Sequence, residues 1–233
     1  MNGTIGNRSY CHRGGEQPLL GMTIPEHIAA IAAQFPDHEA VVSLPQQRRL
    51  SYRELVEQVD RLARGLLGIG LGTGDRVGIW STNNIEWLLL QLATARIGAV
   101  LVNINPAYRP RELAYALQRS EVQCLFTIPV FRSSDYVAML VELLPELTQA
   151  TDGELSSDAL PALRRVVLYD PGSSHDTGRP QPGFMTWPGV LAAGNAVTGD
   201  TLEAATAALD PDDAINIQYT SGTTGFPKAV VLS

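Results

Sequence analysis

Residues 218–229 read QYTSGTTGFPKA and combine four short hydroxyl side chains, two glycines and one lysine. Glycine lets the backbone approach a ligand closely, and successive backbone N–H groups in such turns can bind an anion. The hydroxyls add donors that can also ligate Mg²⁺, and Lys228 adds a mobile positive charge. This composition fits either a phosphate-binding loop or a Gly/Ser/Thr-rich surface turn.

The flanks of this stretch predict a β-hairpin. Residues 214–219 alternate apolar and polar side chains, and residues 229–232, AVVL, form a second strand-like run. A Walker A loop needs a lysine directly after glycine and a helix after that lysine. Here Phe226 and Pro227 separate Gly225 from Lys228. The sequence therefore does not support a kinase or an ATP hydrolase of the Walker A type.

The order Tyr-Thr-Ser-Gly-Thr-Thr-Gly-x-Pro-Lys resembles the signature phosphate loop of the adenylate-forming superfamily, which includes acyl- and aryl-CoA synthetases, firefly luciferases and nonribosomal peptide adenylation domains. The family usually has glycine after the lysine, whereas this chain has Ala229, a change we expect to matter only if that position needs positive φ. The resemblance assigns the ATP phosphates to Thr220, Ser221, Gly222, Thr223, Thr224, Gly225 and Lys228. It assigns no catalytic residue and no protein ligand for a metal in this chain.

The resemblance extends from about Thr23 to Ser233. It includes residues 50–55 (LSYREL), 74–77 (GDRV), 83–87 (NNIEW) and 96–106 (RIGAVLVNINP). Predicted helices and strands alternate along this region, which is typical of an α/β fold with mostly parallel βαβ layered sheets. We expect helices at 22–35, 85–98, 111–119 and 133–144, and a further helix that begins at the S-x-x-E pattern of residues 51–54 and ends near residues 68–70. The expected strands are at 40–42, 76–80, 99–104, 122–127 and 165–169.

The domain prediction has two parts. Residues 22–233 are expected to form the N-terminal part of an AMP-binding (adenylation) domain, incomplete and truncated after the phosphate loop. Residues 1–21 are expected to be a disordered leader. Residues 148–160 and 171–182 are rich in turn-forming residues and predict surface loops.

Composition narrows the class of protein. The net charge of −7 gives no basic footprint for nucleic acid, and no segment has the length and purity of a transmembrane helix. The two cysteines predict neither a disulfide framework nor a metal site, and Cys124 is expected to be buried. We expect Arg48 and Arg49 to lie on a solvated face.

The predicted location is the cytoplasm. The alternative is an organelle reached through residues 1–21, which contain Arg8 and Arg13 and no acid before Glu16.

The resemblance implies an acyl-CoA synthetase, an acid–thiol ligase that activates a carboxylic acid, expected to be a fatty acid, through an acyl-adenylate. The implied cofactors and partners are ATP, Mg²⁺, CoA and a small-molecule carboxylic acid, and a homodimer is left open. We expect the 233-residue chain alone to be inactive. The alternative is a short, non-catalytic nucleotide-binding or interaction module derived from the same family.

Overall fold

The computed structural model describes residues 20–151, 154–171, 181–220 and 227–233. Most of the predicted leader, most of the predicted loop at 171–182 and the predicted phosphate-binding residues 221–225 lie outside these ranges. Seven α-helices occur in the described part of the chain: α1 (Ile24–Gln34), α2 (Tyr52–Gly68), α3 (Ile85–Arg96), α4 (Pro110–Arg119), α5 (Tyr136–Leu143), α6 (Trp187–Ala193) and α7 (Gly199–Ala207). Short 3₁₀ helices follow α5 at Pro145–Gln149 and α6 at Gly194–Ala196.

The strands within the same ranges are β1 (Glu39–Ser43), β2 (Arg48–Ser51), β3 (Arg76–Trp80), β4 (Val100–Ile104), β5 (Cys124–Thr127), β6 (Val130–Phe131), β7 (Ser134–Asp135), β8 (Arg165–Leu168), β9 (Met185–Thr186), β10 (Asn216–Thr220) and β11 (Lys228–Leu232). Seven of them form one sheet in the order β11-β10-β4-β3-β5-β8-β9. Every neighbouring pair is parallel except β10 and β11, which form the predicted antiparallel hairpin. The predicted α/β fold with a mostly parallel sheet is therefore confirmed.

The central strands lie in the core because their residues are almost continuously apolar, as expected for a parallel sheet covered on both faces. All four residues of β5 are buried, including Cys124, as predicted. The apolar stripe of α2 is also buried, with Leu55, Val59, Leu62 and Leu66 each at most 6% exposed. Packing of these helices on the sheet fixes the ends of the strands, where the connecting turns lie.

Local sequence signals start two of the helices. The Ser51 hydroxyl accepts the Glu54 amide at 3.3 Å, and the Glu54 carboxylate accepts the Ser51 amide at 2.8 Å. The same reciprocal pair joins Thr23 and Glu26 at the start of α1. Each pair satisfies amide donors that would otherwise have no partner at the helix N-terminus.

Several sequence-based expectations need correction. The predicted helix at 133–144 begins only at Tyr136, because Ser134 and Asp135 form β7 and the Asp135 carboxylate accepts the Ala138 amide. Helices α6 and α7 were not predicted. Arg48 is not simply solvated, because it donates to Glu86 at 2.7 Å and joins the β1–β2 hairpin to α3. Arg49 remains exposed, beside Glu39.

Candidate functional site

The predicted phosphate loop is described at its two ends, Thr220 and Lys228. These residues face each other in the last register pair of the β10–β11 hairpin, and the next pair is Tyr219 with Ala229. The Thr220 hydroxyl lies 3.5 Å from the Lys228 carbonyl oxygen, the outer limit of a hydrogen bond. The structure therefore brings these two predicted site residues together. Ser221, Gly222, Thr223, Thr224 and Gly225 lie outside the described residues.

The parallel register places the hairpin end at one edge of the sheet. Strand β10 pairs Asn216 with Leu101 and Gln218 with Asn103 of β4, so both strands run in the same direction. The carboxyl end of β10 therefore lies at the same edge as the carboxyl ends of β4 and β3. Ligands of open α/β sheets generally bind beyond this edge.

Aromatic packing stiffens the turn that follows β4 at this edge. Trp80, the last residue of β3, stacks on Tyr136 with ring centroids 3.5 Å apart and an interplanar angle of 4°. The Trp80 indole N–H donates to the Asn105 carbonyl at 3.2 Å, and the Tyr136 hydroxyl donates to the Pro106 carbonyl. Both rings are fully buried, so the Asn105–Pro106 turn is held by side chains that cannot move without disturbing the core.

Helix α4 contacts both strands of the hairpin close to their loop ends. The Tyr219 hydroxyl donates to the Ala116 carbonyl at 3.0 Å and lies 2.7 Å from the Ser120 hydroxyl oxygen. The Tyr115 hydroxyl donates to the Pro227 carbonyl at 3.4 Å. Burial raises the pKa of Tyr219, while the hydrogen bond with Ser120 opposes that rise. Tyr219 is therefore a neutral hydroxyl at physiological pH and can serve as a donor.

A buried amide pair lies where β10 joins the rest of the sheet. The Asn103 side-chain amide donates to the Asn216 side-chain oxygen at 3.3 Å, and Asn216 is only 2% exposed. Within the described residues, the remaining two amide atoms, the Asn103 oxygen and the Asn216 nitrogen, have no hydrogen-bond partner. The pair links β4 to β10 at the start of the hairpin, and it remains polar although the strands around it are apolar.

The chemistry of the hairpin end fits a polyphosphate. Thr220 and Lys228 are both exposed, and Lys228 forms no ion pair with any described residue. A hydroxyl donor and a primary ammonium on facing strands can reach oxygens of the same anion. No cluster of three or more His, Cys, Asp or Glu side chains that could hold a metal occurs in the described ranges.

Two cavities lie near these elements, one beside α4 and one at the amino ends of the strands. An open depression of about 530 Å³ is lined by Tyr115, Gln118, Arg119 and Glu121, on the helix that contacts the hairpin. A cavity of about 290 Å³ lies at the amino ends of β3, β5 and β8, with Asp75, Cys124 and Arg165 in its wall. The second cavity is therefore at the edge of the sheet opposite the predicted phosphate loop.

Sequence reasoning identified the hairpin but missed the contribution of α4. The structure uses the Tyr219 hydroxyl to contact α4, a role that the sequence motif does not indicate. Tyr115 and Ser120 were not singled out, because each acts on residues about 100 positions away. No local pattern reveals such a contact.

In the described ranges, no helix combines the length and apolar character needed to cross a bilayer.

Comparison with known proteins adds independent information. A family model described as AMP-binding enzyme matches residues 28–233. The chain is 40% identical over 230 residues to the mitochondrial medium-chain acyl-CoA ligase ACSF2 of Mus musculus, covering 98% of this chain and 36% of that protein. The Danio rerio protein of the same name is 37% identical over 225 residues, covering 97% of this chain and 36% of that protein.

A solved structure supports the fold. The inhibitor-bound N-terminal domain of FACL13 from Mycobacterium tuberculosis superposes with a TM-score of 0.64 at 21% identity. The match covers 90% of this chain and 44% of that structure. At this identity the likeness establishes the fold alone. The chain spans about a third of the length of the curated relatives it matches.

Proposed function

The chain belongs to the AMP-binding enzyme family, and we propose that it forms the amino-terminal part of the catalytic domain of an acyl-CoA ligase. The observation that carries this proposal is the hairpin end, where Thr220 and Lys228 face each other at the carboxyl edge of a parallel sheet. The name of the relatives, medium-chain acyl-CoA ligase, favours a fatty acid as the substrate.

The proposed reaction has two steps. In the first, a carboxylate oxygen of the acid attacks the α-phosphorus of ATP, and the bond between this phosphorus and the bridging oxygen of pyrophosphate breaks. The product is an acyl-adenylate. In the second, the thiolate of CoA attacks the acyl carbonyl carbon and AMP leaves with the bonding electron pair. Neither step needs a covalent intermediate with the protein.

The residues of this chain would act on the leaving pyrophosphate. Negative charge develops on the β- and γ-phosphates as the α-phosphorus bond breaks, and fixed donors lower the energy of that charge. Lys228 would supply positive charge and Thr220 a hydroxyl donor, together with Ser221, Gly222, Thr223, Thr224 and Gly225 of the predicted loop. Mg²⁺, when bound with ATP, would neutralise further phosphate charge.

The first experiment uses the fact that Lys228 is the only lysine in the sequence. We expect the 233-residue chain to bind ATP weakly and only in the presence of Mg²⁺, as measured by calorimetric titration. Lys228→Ala should reduce the affinity by about tenfold or more, because a hydrogen bond to a charged group is lost. Arg49→Ala is the control, since Arg49 is exposed beside Glu39 on another hairpin.

The same lysine allows a chemical readout. An amine-selective acylating reagent can modify only Lys228 and the α-amino group of Met1, which mass spectrometry distinguishes. Mg·ATP should slow modification of Lys228 and leave that of Met1 unchanged. The phosphate-binding assignment would be wrong if Lys228→Ala bound ATP as tightly as wild type and Mg·ATP did not slow the modification of Lys228.

A second assay tests whether the chain forms acyl-adenylate by itself. The chain spans about a third of its relatives, so we propose that it binds Mg·ATP but does not form acyl-adenylate by itself. ATP–pyrophosphate exchange with medium-chain fatty acids should therefore remain at background. Robust exchange would contradict the expectation of inactivity. Binding without exchange supports either a ligase part or a binding module, and joining the chain to the remainder of a relative's domain distinguishes these two.

We propose the cytoplasm as the location, with import into an organelle as the alternative. The relatives carry the word mitochondrial in their name, which is consistent with the alternative. A fluorescent protein fused after residue 21 tests it directly, and diffuse fluorescence would favour the cytoplasm.

A further inference from the structure

We propose that helix α4 positions the two ends of the predicted phosphate loop, with Tyr115, Ser120 and Tyr219 as positioning residues. The inference rests on the proposed function, because it concerns the placement of Thr220 and Lys228 for phosphate. It assigns no contact between these three residues and the substrate.

Two sets of hydrogen bonds, here called ties, connect α4 to the ends of the loop, and the first tie holds the β10 side. Tyr219 immediately precedes Thr220, and its hydroxyl donates to the Ala116 carbonyl at 3.0 Å. A phenol has one proton, so once Tyr219 donates to Ala116 it can only accept from Ser120. The Ser120 hydroxyl, 2.7 Å away, is therefore the donor of the second bond. Both bonds keep the Tyr219 side chain, and with it the backbone before Thr220, against α4.

The second tie holds the β11 side of the loop. Pro227 immediately precedes Lys228, and its carbonyl accepts the Tyr115 hydroxyl at 3.4 Å. Proline has no N–H, so this carbonyl is the only backbone group through which Pro227 can be held by a hydrogen bond. The distance is longer than for the Tyr219 bonds, and we expect the second tie to be the weaker one.

Both ties originate from the last turns of one helix. Tyr115 and Ala116 are adjacent, and Ser120 follows as the C-cap of α4. The inner face of α4 is anchored in the core through Leu113, Ala116 and Leu117. The Ser120 carbonyl also accepts the Arg76 side chain of β3 at 3.2 Å. The spacing between the two loop ends is therefore set by an element that is itself packed against the sheet.

This arrangement matters because β11 has no neighbouring strand on its outer side among the described residues, and all five of its residues are exposed. Among the described residues, α4 adds hydrogen bonds near the loop end to those that pair β11 with β10. Phosphate binding depends on donors that converge on one anion, so a shift at either loop end weakens it. Helix α4 supplies the missing constraint from one face of the hairpin.

The test uses the 233-residue chain and conservative variants. Tyr219→Phe and Tyr115→Phe each remove only a hydroxyl, and Ser120→Ala removes the donor to Tyr219. Ser120→Thr keeps that donor and serves as the rescue variant. Tyr52→Phe is the matched control, because Tyr52 begins α2 and lies on a different part of the fold.

Two readouts are measured well below the unfolding temperature. Hydrogen exchange of peptides from residues 216–220 and 227–232 reports on the hairpin, and calorimetry with Mg·pyrophosphate reports on binding. We expect Tyr219→Phe and Ser120→Ala to raise hairpin exchange and the Kd by about fivefold each, with a smaller effect of Tyr115→Phe. Exchange in β3 and β5 should not change. Ser120→Thr and Tyr52→Phe should behave as wild type.

The outcomes are distinguishable. Hairpin exchange equal to wild type in Tyr219→Phe and Ser120→Ala would overturn the inference. If the wild type binds Mg·pyrophosphate, variants with faster hairpin exchange but an unchanged Kd would also overturn the inference. The three residues would then stabilise the hairpin without affecting phosphate binding. If the wild type itself does not bind Mg·pyrophosphate while hairpin exchange still responds, the proposed phosphate function fails and the anchoring of the hairpin by α4 stands.

Discussion

Replacement of Gly68 by alanine is the most direct test of how α2 packs against the C-terminal end of α6. A Cβ atom on Gly68 would lie 2.3 Å from the Ala193 carbonyl oxygen and 2.6 Å from its carbon. Contacts of a Cβ atom below 3.0 Å do not normally occur, and both of these atoms belong to the backbone. No side-chain rotation can relieve the overlap, so the two backbones must separate by about 0.7 Å, from 2.3 to 3.0 Å.

Two opposing terms set the size of the effect. Alanine improves helix propensity by up to about 1 kcal/mol, and by less here because Gly68 is the last residue of α2. Forcing extra atoms into a packed contact costs about 1–3 kcal/mol, and a backbone overlap belongs at the upper end. The net expectation is a loss of about 2 kcal/mol in the free energy of unfolding. For a chain of this size, that corresponds to about 4–8 °C in Tm.

Urea unfolding followed by circular dichroism measures this difference, and Gly72→Ala is the control. A Cβ atom on Gly72 would meet nothing within 4 Å, and Gly72 does not have positive φ. Gly72→Ala should therefore stay within about 0.5 kcal/mol of wild type. A Gly68→Ala variant as stable as wild type would refute the reasoning. It would show that the contact between α2 and Ala193 relaxes without cost.

Two further predictions concern buried polar groups. Burial raises the pKa of the Cys124 thiol to about 12, so in a Cys11→Ser background a thiolate-reactive reagent should label Cys124 only after unfolding. Because an unfolded thiol loses its proton near pH 8.5 and the folded one near 12, the free energy of unfolding should fall between about pH 9 and 12, by up to about 1.4 kcal/mol per pH unit. A Cys124→Ala variant that keeps the full slope would exclude this cause. Arg48→Ala should cost about 1–2 kcal/mol, because it leaves the Glu86 carboxylate, 10% exposed, without its cation. In urea unfolding, the double variant Arg48→Ala/Glu86→Gln should lose less than the sum of the single variants, and additivity would show that the pair is not coupled.

Features encoded within a few residues were predicted well. The S-x-x-E pattern at Ser51 gives a reciprocal capping pair whose partners are three residues apart, so sequence contains all of it. The same holds for the hairpin, whose two strands are joined by a short connection and pair in the expected antiparallel sense. The apolar runs of β3, β4 and β5 predicted buried parallel strands because such strands need no polar face.

Features that depend on distant residues were not predicted. Helix α6 begins with Trp187-Pro188-Gly189, which resembles a turn, and it is held by Trp187 and Val190 in the core. Helix α7 buries only Leu202, so its sequence has no apolar stripe to detect. Arg48 was taken for a solvated residue because its partner, Glu86, is 38 positions away. In each case tertiary packing, and not local propensity, decides the outcome.

The one departure from the family pattern in the hairpin is explained by backbone geometry. Ala229 pairs with Tyr219 inside the regular β10–β11 ladder, and it is not among the residues with positive φ. A strand position accepts alanine as readily as glycine, because only positive φ requires the missing Cβ. Ala229 is also exposed, so the added methyl group meets no packed neighbour on the described side of the hairpin. The condition under which the change would matter, positive φ at position 229, is therefore not met in the structure, and the tolerance of the change stays a prediction.

The hairpin geometry distinguishes two requirements of the proposed site: the donor groups themselves and their orientation relative to the sheet. The order of residues 218–229 supplies the donors, and the hairpin brings Thr220 opposite Lys228 through contacts only 8 positions apart. The orientation of that pair relative to the sheet depends on Tyr219 with Ser120 and on Tyr115 with Pro227, contacts that span 99 and 112 positions. A phosphate site needs both the donor groups and a fixed orientation, because donors that can shift do not converge on one anion. Under the proposed function, the motif supplies the chemistry, and we propose that α4 sets the placement of its two ends.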